Sequence, residues 1–486
     1  MTKIMRAFVN VNGRPVHYRR AGNGPPVVMM HGSPGDSQML LGEIAACAEN
    51  FTVFALDTAG FGYSQALPGE ELTVVDLAAA AAETMRALKL PPCPVYGTHT
   101  GACIAIELAN GWPDQVSAVL LEGLPAFTQA EMDEIFTNYF AAMIPDPLGG
   151  HLVSTFIRFR DQFTWFPWPS RNVKRLNAID RPEPADIDLW VSMFYRSCKT
   201  YKPAYRAACF YGQAALRAAA ALTHRAIYFT TEEDMLFSHL DRLPPVKPSQ
   251  RIERQPLGSP DRVPNIKKFL LELAADVEAP AHRQDIANNR LLVDGPHGQI
   301  FVRVYGDPAA PAMALLHDAP GTSLSVQETA QKLAETHRVF APDAPGTGQT
   351  DPAENPLLAA AENILAAADA LGIDKFEVTA FGSASAVAAK LSGARVSKIS
   401  WQNQRPLDPA QIAPEIPLSP TGAHWVAAWL MLRDCEIYDP WYDGKIAAQR
   451  STQGNFDAAW RHDETVAFME GRATYHLYAR AAAAAT

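Results

Sequence analysis

The chain has 486 residues, 48% of them hydrophobic, and a formal net charge of −10. That length is more than one ordinary core organises, so two domains of about 200–280 residues are expected. The acidic balance argues against a nucleic-acid partner, since phosphate binding needs a basic surface, and no apolar run is long enough to span a bilayer.

Residues 3–22 read as a β-hairpin turning at Asn12-Gly13, entered without an apolar leader, which points to the cytoplasm. Strand and helix patterns then alternate through Leu121, as in parallel-sheet proteins. Apolar Val27–Met30 leads into His31-Gly32-Ser33-Pro34-Gly35, and Phe54-Ala55-Leu56 into Asp57-Thr58-Ala59-Gly60-Phe61-Gly62-Tyr63-Ser64. Pro94-Val95-Tyr96 leads into Gly97-Thr98-His99-Thr100-Gly101, followed by the apolar helical run 102–109. Residues 125–222 are rich in aromatics and prolines, with helical stretches at 131–143 and 187–201. Strand character returns at 226–230, before Glu232-Glu233-Asp234, and again at 249–255; a helix is expected over 263–275. Polar, proline-bearing residues 276–289 read as a linker, and a second hairpin spans 291–305. Six cysteines without C-x-x-C spacing read as reduced core residues.

The motifs recur. His317-Asp318-Ala319-Pro320-Gly321 and Asp343–Thr350 repeat the first two, and His317 precedes Asp343 by 26 residues, as His31 precedes Asp57. The third recurs around Phe381-Gly382-Ser383, with glycine at the central position. An H-x8-R-D-x5-P-W pattern also appears twice, from His151 and from His424. After that copy no strand matches 226–230, so the second half is expected to be truncated and inactive, serving as a partner surface, lid or support. The alanine-rich end, 481–485, reads as a helix extension or as disorder.

The H-G-x-P-G and D-x-x-G-x-G-x-S motifs, in that order before a strand–turn–helix elbow, resemble the α/β-hydrolase superfamily. The resemblance implies two tandem α/β-hydrolase-like domains with mostly parallel sheets flanked by helices, each with a helical cap. The first would cover 1–277 with its cap at 125–222, a linker 278–289, and the degenerate second 290–486 with its cap at 403–480. It also implies oxyanion donors in the amides of Ser33 and Thr100, a catalytic carboxylate at Asp234 with Glu122 as the alternative, and a loop-fixing Asp57. Two family residues are missing: histidine 99 stands where the serine nucleophile belongs, and no histidine lies between Gln255 and Arg262.

Ordinary serine acyl transfer is therefore excluded at the elbow. An imidazole projecting from position 99 is long enough to meet Asp234 or Glu122 and serve as a base or nucleophile. The helix amino terminus disfavours imidazolium, so a neutral His99 is expected. General-base help supplies about 10²–10⁴-fold in rate, and each oxyanion donor about 3 kcal/mol. The expected reaction is cofactor-free hydrolysis of a small apolar or aromatic carbonyl compound, an ester, lactone or C–C bond. Proton abstraction by a lyase, isomerase or cofactor-independent oxygenase, and ligand binding by a non-catalytic pseudohydrolase, are the alternatives. Candidate substrate contacts are His31, His151, Arg160, Trp165 and Trp168; equally, Arg160 and Asp161 brace the cap and the aromatics fill it. No histidine pair has metal-ligand spacing on a helix face, so no metal is expected. The partner is a small molecule, and homo-oligomerisation stays open.

Overall fold

Strand β1 (Met5–Val11) turns into β2 (Arg14–Ala21) through Asn12 and Gly13, whose φ of 54° and 85° meet the demand of a two-residue hairpin turn for left-handed backbone. There follow β3 (Pro26–Met30), β4 (Thr52–Leu56), β5 (Cys93–Thr98), β6 (Val116–Glu122), β7 (Arg225–Thr231) and β8 (Gln250–Gln255). The computed structural model describes residues 3–137, 139–140, 143–177, 180–256, 261–391, 393, 395–451 and 454–485. These strands form an eight-stranded sheet in the order β1-β2-β4-β3-β5-β6-β7-β8. Only the pairings of β2, with β1 and β4, are antiparallel. Every residue of β3, β4 and β5 is buried, as expected of parallel strands covered on both faces.

A second, six-stranded sheet comprises β9 (Arg290–Gly295), β10 (Gly298–Tyr305), β11 (Ala312–Leu316), β12 (Arg338–Pro342), β13 (Phe376–Phe381) and β14 (Val396–Gln402). Its order, β14-β13-β11-β12-β10-β9, repeats that of the first six strands of the larger sheet. Among the described residues it has no strands matching β7 and β8.

Packing divides the chain into Met1–Met143 with Arg158–Asn288, and Ile144–Ile157 with Asn289–Thr486. The sequence suggests a contiguous division at 278–289, and the observed one differs by the segment 144–157. The reason lies in its side chains. His151 Nε2 lies 3.2 Å from His462 Nδ1, and the Phe156 ring stands edge-on to His424. The helix Gly150–Thr164 therefore contributes its first half to the second unit and its second half to the first. The expected linker is also anchored: Asp285 donates its amide to the Phe8 carbonyl at 2.9 Å and accepts from the Asn10 amide at 2.9 Å.

The helix expected over 131–143 runs Gln129–Phe136, opened by a reciprocal Thr128–Glu131 cap; residues 138, 141 and 142 lie outside the described residues. That expected over 187–201 runs Pro184–Ser197, and the alanine-rich end belongs to the helix Tyr475–Ala485. No helix of the described residues is long and apolar enough to cross a membrane.

Arg196, near the end of Pro184–Ser197, binds Asp36 through Nε at 2.9 Å and Nη2 at 2.7 Å, both side chains 2% exposed. Asp36 also caps the short turn Ser37–Leu40, accepting from the Gln38 amide at 2.8 Å. This buried pair ties the helix Pro184–Ser197 to the loop after β3. Removing one partner strands the other charge, so Asp36→Ala is expected to lose about 3–5 kcal/mol in urea unfolding.

Candidate active site

The parallel strands end on one edge of the larger sheet, and the loops that leave them carry His31, Asp57, His99, Gly123 and Asp234. His99 stands alone between β5 and the helix Thr100–Gly111, with φ 50° and ψ −110°. A non-glycine residue there carries about 1–3 kcal/mol of backbone strain. Two close approaches hold it. A β-carbon on Gly97 would fall 2.1 Å from the Gly101 carbonyl oxygen, and one on Gly101 would fall 2.1 Å from that of Met30. The His99 amide donates to the Glu122 carbonyl at 2.9 Å, and its own carbonyl accepts from Ala102 and Cys103.

The imidazole swings toward β7. His99 Nε2 lies 2.6 Å from Asp234 Oδ2, across 135 residues of sequence. Gly123 clears the way: with φ 57°, a β-carbon there would stand 2.6 Å from His99 Cδ2. Asp234 is set by a turn, its backbone amide donating to Thr231 at 3.0 Å and its Oδ1 accepting from the Leu236 amide at 2.8 Å. Burial favours the neutral ring of His99, but the charge and hydrogen bond of Asp234, with the field of Glu122, outweigh it and raise the pKa above 6.5. Burial likewise opposes ionisation of Asp234, yet the facing imidazole brings its carboxyl down to about 2. The helix terminus is therefore not what sets the pKa of His99: a carboxylate at hydrogen-bond distance outweighs a helix end worth about half a charge. The ring remains 42% accessible because it faces a cavity.

Glu122 does not share that role. Its carboxylate is 3% exposed and held by Arg262, at 2.5 Å to Nε and 2.8 Å to Nη2, and by the Tyr96 hydroxyl. Arg262 also binds Glu43 at 2.6 Å. The Glu122 carboxylate thus acts on the His99 ring only through its field. The expected histidine-bearing loop is partly beyond reach, since 257–260 lie outside the described residues.

Most of the expected substrate contacts are instead structural. His31 is fully buried, its Nδ1 2.9 Å from the Gly32 carbonyl and its Nε2 accepting from the Thr58 amide at 3.0 Å. His151 is buried in the second unit beside Asp146 and His462. Arg160 is exposed, and its neighbour Asp161 pairs with Arg171 rather than with it. Trp165 bridges to Leu176, and Trp168 donates its indole N–H to the Tyr139 carbonyl at 3.2 Å. Buried rings with polar atoms find partners within the chain, as the Trp168 indole and the His31 and His151 imidazoles do here. Asp57 fixes its loop as expected, accepting from His17 Nδ1 at 2.8 Å and from the Ser37 and Tyr63 amides at 2.9 Å.

Ser33, His99 and Thr100 meet at an inner chamber of about 60 Å³, walled by Phe127, Phe136, Phe166, Tyr205, Met235 and Leu236. Ser33 and His99 also border an outer cavity of about 670 Å³ that reaches Phe163, Trp190 and Asp234. The outer volume suits a small molecule. Thr100 opens its helix, among the positions whose amides have no intrahelical acceptor. The Ser33 hydroxyl is buried without a hydrogen-bond partner. Sequence reasoning missed Gly123 and Arg262. A glycine directly after a strand was a signal for the first, whereas Arg262 reaches Glu122 across 140 residues with no local sign.

Asp234→Asn should lower the His99 pKa, read by NMR titration of the ring, because the main charge raising it is gone. The same pair governs stability. His99's share is complete below 6.5 and fades as pH climbs through its raised folded value, while Asp234's is complete above 3.8 and is lost as pH falls through about 2. The advantage of wild type over Asp234→Asn in unfolding experiments should be largest between those limits. Gly123→Ala should push the ring off Asp234 and also lower the His99 pKa; an unchanged titration would show that the clearance is not needed.

Residues 25–235 match the sequence model of the alpha/beta hydrolase fold family. A zearalenone hydrolase of Bionectria ochroleuca is 30% identical over 118 residues, 24% of this chain and 45% of that protein. A pyrrolizixenacetamide deacetylase of Xenorhabdus hominickii is 30% identical over 116 residues, 24% of this chain and 43% of that one. The matched segment thus spans less than half the length of these curated relatives. Among solved structures, an epoxide hydrolase from an endophytic Streptomyces aligns with a TM-score of 0.43 at 19% identity, covering 56% of this chain and 95% of that one. The stretch that runs from β3 to just past Asp234, and so contains the elbow and its carboxylate partner, is of the alpha/beta hydrolase fold.

Proposed function

We propose that the first unit hydrolyses a small apolar or aromatic carbonyl compound, an ester or lactone, with His99 as the general base. One observation carries this reading: the His99–Asp234 contact at 2.6 Å on the wall of an apolar chamber. With the Nε2 proton donated to Asp234, Nδ1 holds the ring's lone pair. It takes a proton from water as the water oxygen attacks the carbonyl carbon. The Ser33 and Thr100 amides receive the oxyanion, and the ring then returns the proton to the leaving alkoxide as the C–O bond breaks. No covalent enzyme intermediate is required, which suits an elbow without serine. The matched relatives, named as a hydrolase and a deacetylase, support the hydrolytic class.

We further read the second unit as a degenerate copy of the first. The shared strand order supports this, as do paired local contacts. His317 Nδ1 and Nε2 contact the Asp318 carbonyl and the Ala344 amide, as His31 contacts Gly32 and Thr58. Asp343 accepts the Ser323 amide at 2.7 Å, as Asp57 accepts that of Ser37. Trp441 donates to Ile412 as Trp168 donates to Tyr139, and Tyr438 bridges to Gln449 as Trp165 does to Leu176.

His99→Ala should keep the fold and lose about 10²-fold or more in kcat/KM on aryl esters and lactones. Wild-type turnover by the folded variant would end this reading. Deuterium exchange into a carbonyl substrate without hydrolysis products would move it to the lyase or isomerase class. For the wild type, the rate should rise with pH through the raised His99 value, since only the neutral ring is a base.

A further inference from the structure

The second unit holds an anion of its own where the first has an open chamber. Gly382 follows β13 with φ 48°, as His99 follows β5 with φ 50°. A β-carbon on Gly382 would fall 2.0–2.4 Å from the carboxylate atoms of Asp318, in the loop after β11. Asp318 Oδ1 accepts from the Ala319 amide, the Ser383 amide and the Ser383 hydroxyl, at 2.8 Å each. Its Oδ2 lies 3.2 Å from both Nη1 and Nη2 of Arg405. Ala319 and Ser383 hold the positions that Ser33 and Thr100 hold in the first unit, and the counterpart of Asp318 there is Gly32. A β-carbon on Gly32 would stand only 3.4 Å from that of His99. Each unit therefore fills the space above its elbow with one ionisable side chain, delivered by the elbow in one and by the loop in the other.

We propose that the second unit contains a carboxylate-binding site, made by the Ala319 and Ser383 amides, the Ser383 hydroxyl and Arg405, and that Asp318 is its built-in occupant. Three neutral donors and a guanidinium converge on one carboxylate, the pattern of charge-assisted carboxylate recognition. The site borders a cavity of about 220 Å³ lined by Asp318, Ala319, Phe381 and Arg405, so an external ligand has a path to it. Once the Asp318 side chain is removed, the vacated donors take a small aliphatic monocarboxylate. In the wild type the plug closes this unit to acyl chemistry. The inference rests on the second unit's geometry alone and stands apart from the hydrolase reading.

The probe is acetate, on the full chain. Asp318→Gly should gain saturable, single-site acetate binding by calorimetry and an acetate-dependent rise in its unfolding midpoint, with wild type binding about ten-fold more weakly or not at all. Asp318→Asn leaves an acceptor in the hole and should show no such gain. Adding Arg405→Ala to Asp318→Gly should weaken acetate binding about ten-fold or more, the loss expected for a charged hydrogen-bond partner. A folded Asp318→Gly without acetate-specific stabilisation overturns the proposal. If Asp318→Gly folds poorly in chloride, recovery of folded protein in rising acetate at matched ionic strength becomes the readout, and its absence overturns the proposal equally.

Discussion

The helix after β5 passes so close to the sheet that a β-carbon on Gly97 of β5 would meet the Gly101 carbonyl, and one on Gly101 that of Met30 at the end of β3, each at 2.1 Å. Only glycine fits at either position. The approach compresses the strand-to-helix turn into a single residue and forces it into left-handed backbone. A side chain at that residue leaves the sheet edge directly for the chamber, with free helix amides beside it. Whatever residue 99 is, the turn gives it an exposed, rigid mount. In this chain the mount carries an imidazole.

The ring's protonation is set by a contest between nearby charges. Burial and the helix end both disfavour the cation, and Arg262 adds to them; Asp234 at 2.6 Å and Glu122 favour it and prevail. Distance explains the ranking, since a full charge at contact exceeds partial charges spread over a helical turn. Glu122 cannot take Asp234's place because Arg262 and Tyr96 already satisfy its carboxylate. The two acids at the ends of neighbouring strands, Glu122 closing β6 and Asp234 just past β7, thus have different tasks. One orients the ring, and the other anchors Arg262 behind it.

On the proposed reading of the second unit as a copy of the first, the two units show what that mount tolerates. In the first, Gly32 and Gly123 stand back and His99 occupies the space; in the second, Gly382 stands back and Asp318 enters from the loop. Both solutions keep a positive φ at the residue after the strand, 50° at His99 and 48° at Gly382. That the same two amide positions hold a carboxylate oxygen in one unit supports their proposed use for an oxyanion in the other.

Much of the frame was legible without coordinates. Asn12-Gly13 specified its hairpin, the apolar runs specified β3 to β6, and Gly97-x-x-x-Gly101 specified the elbow, since each is a local pattern with a local physical cause. Asp234 was found because it follows a recognisable strand. What stayed hidden depends on partners far apart in sequence: the 2.6 Å contact from His99, the diversion of Glu122 to Arg262, and the burial of His31 and His151 among structural neighbours. The direction of the His99 titration was hidden too. A sequence shows which residue ends a strand and which turn must follow; which charge comes within hydrogen-bond reach of it is decided only when distant segments pack, because an ionic contact depends on separation in space rather than along the chain.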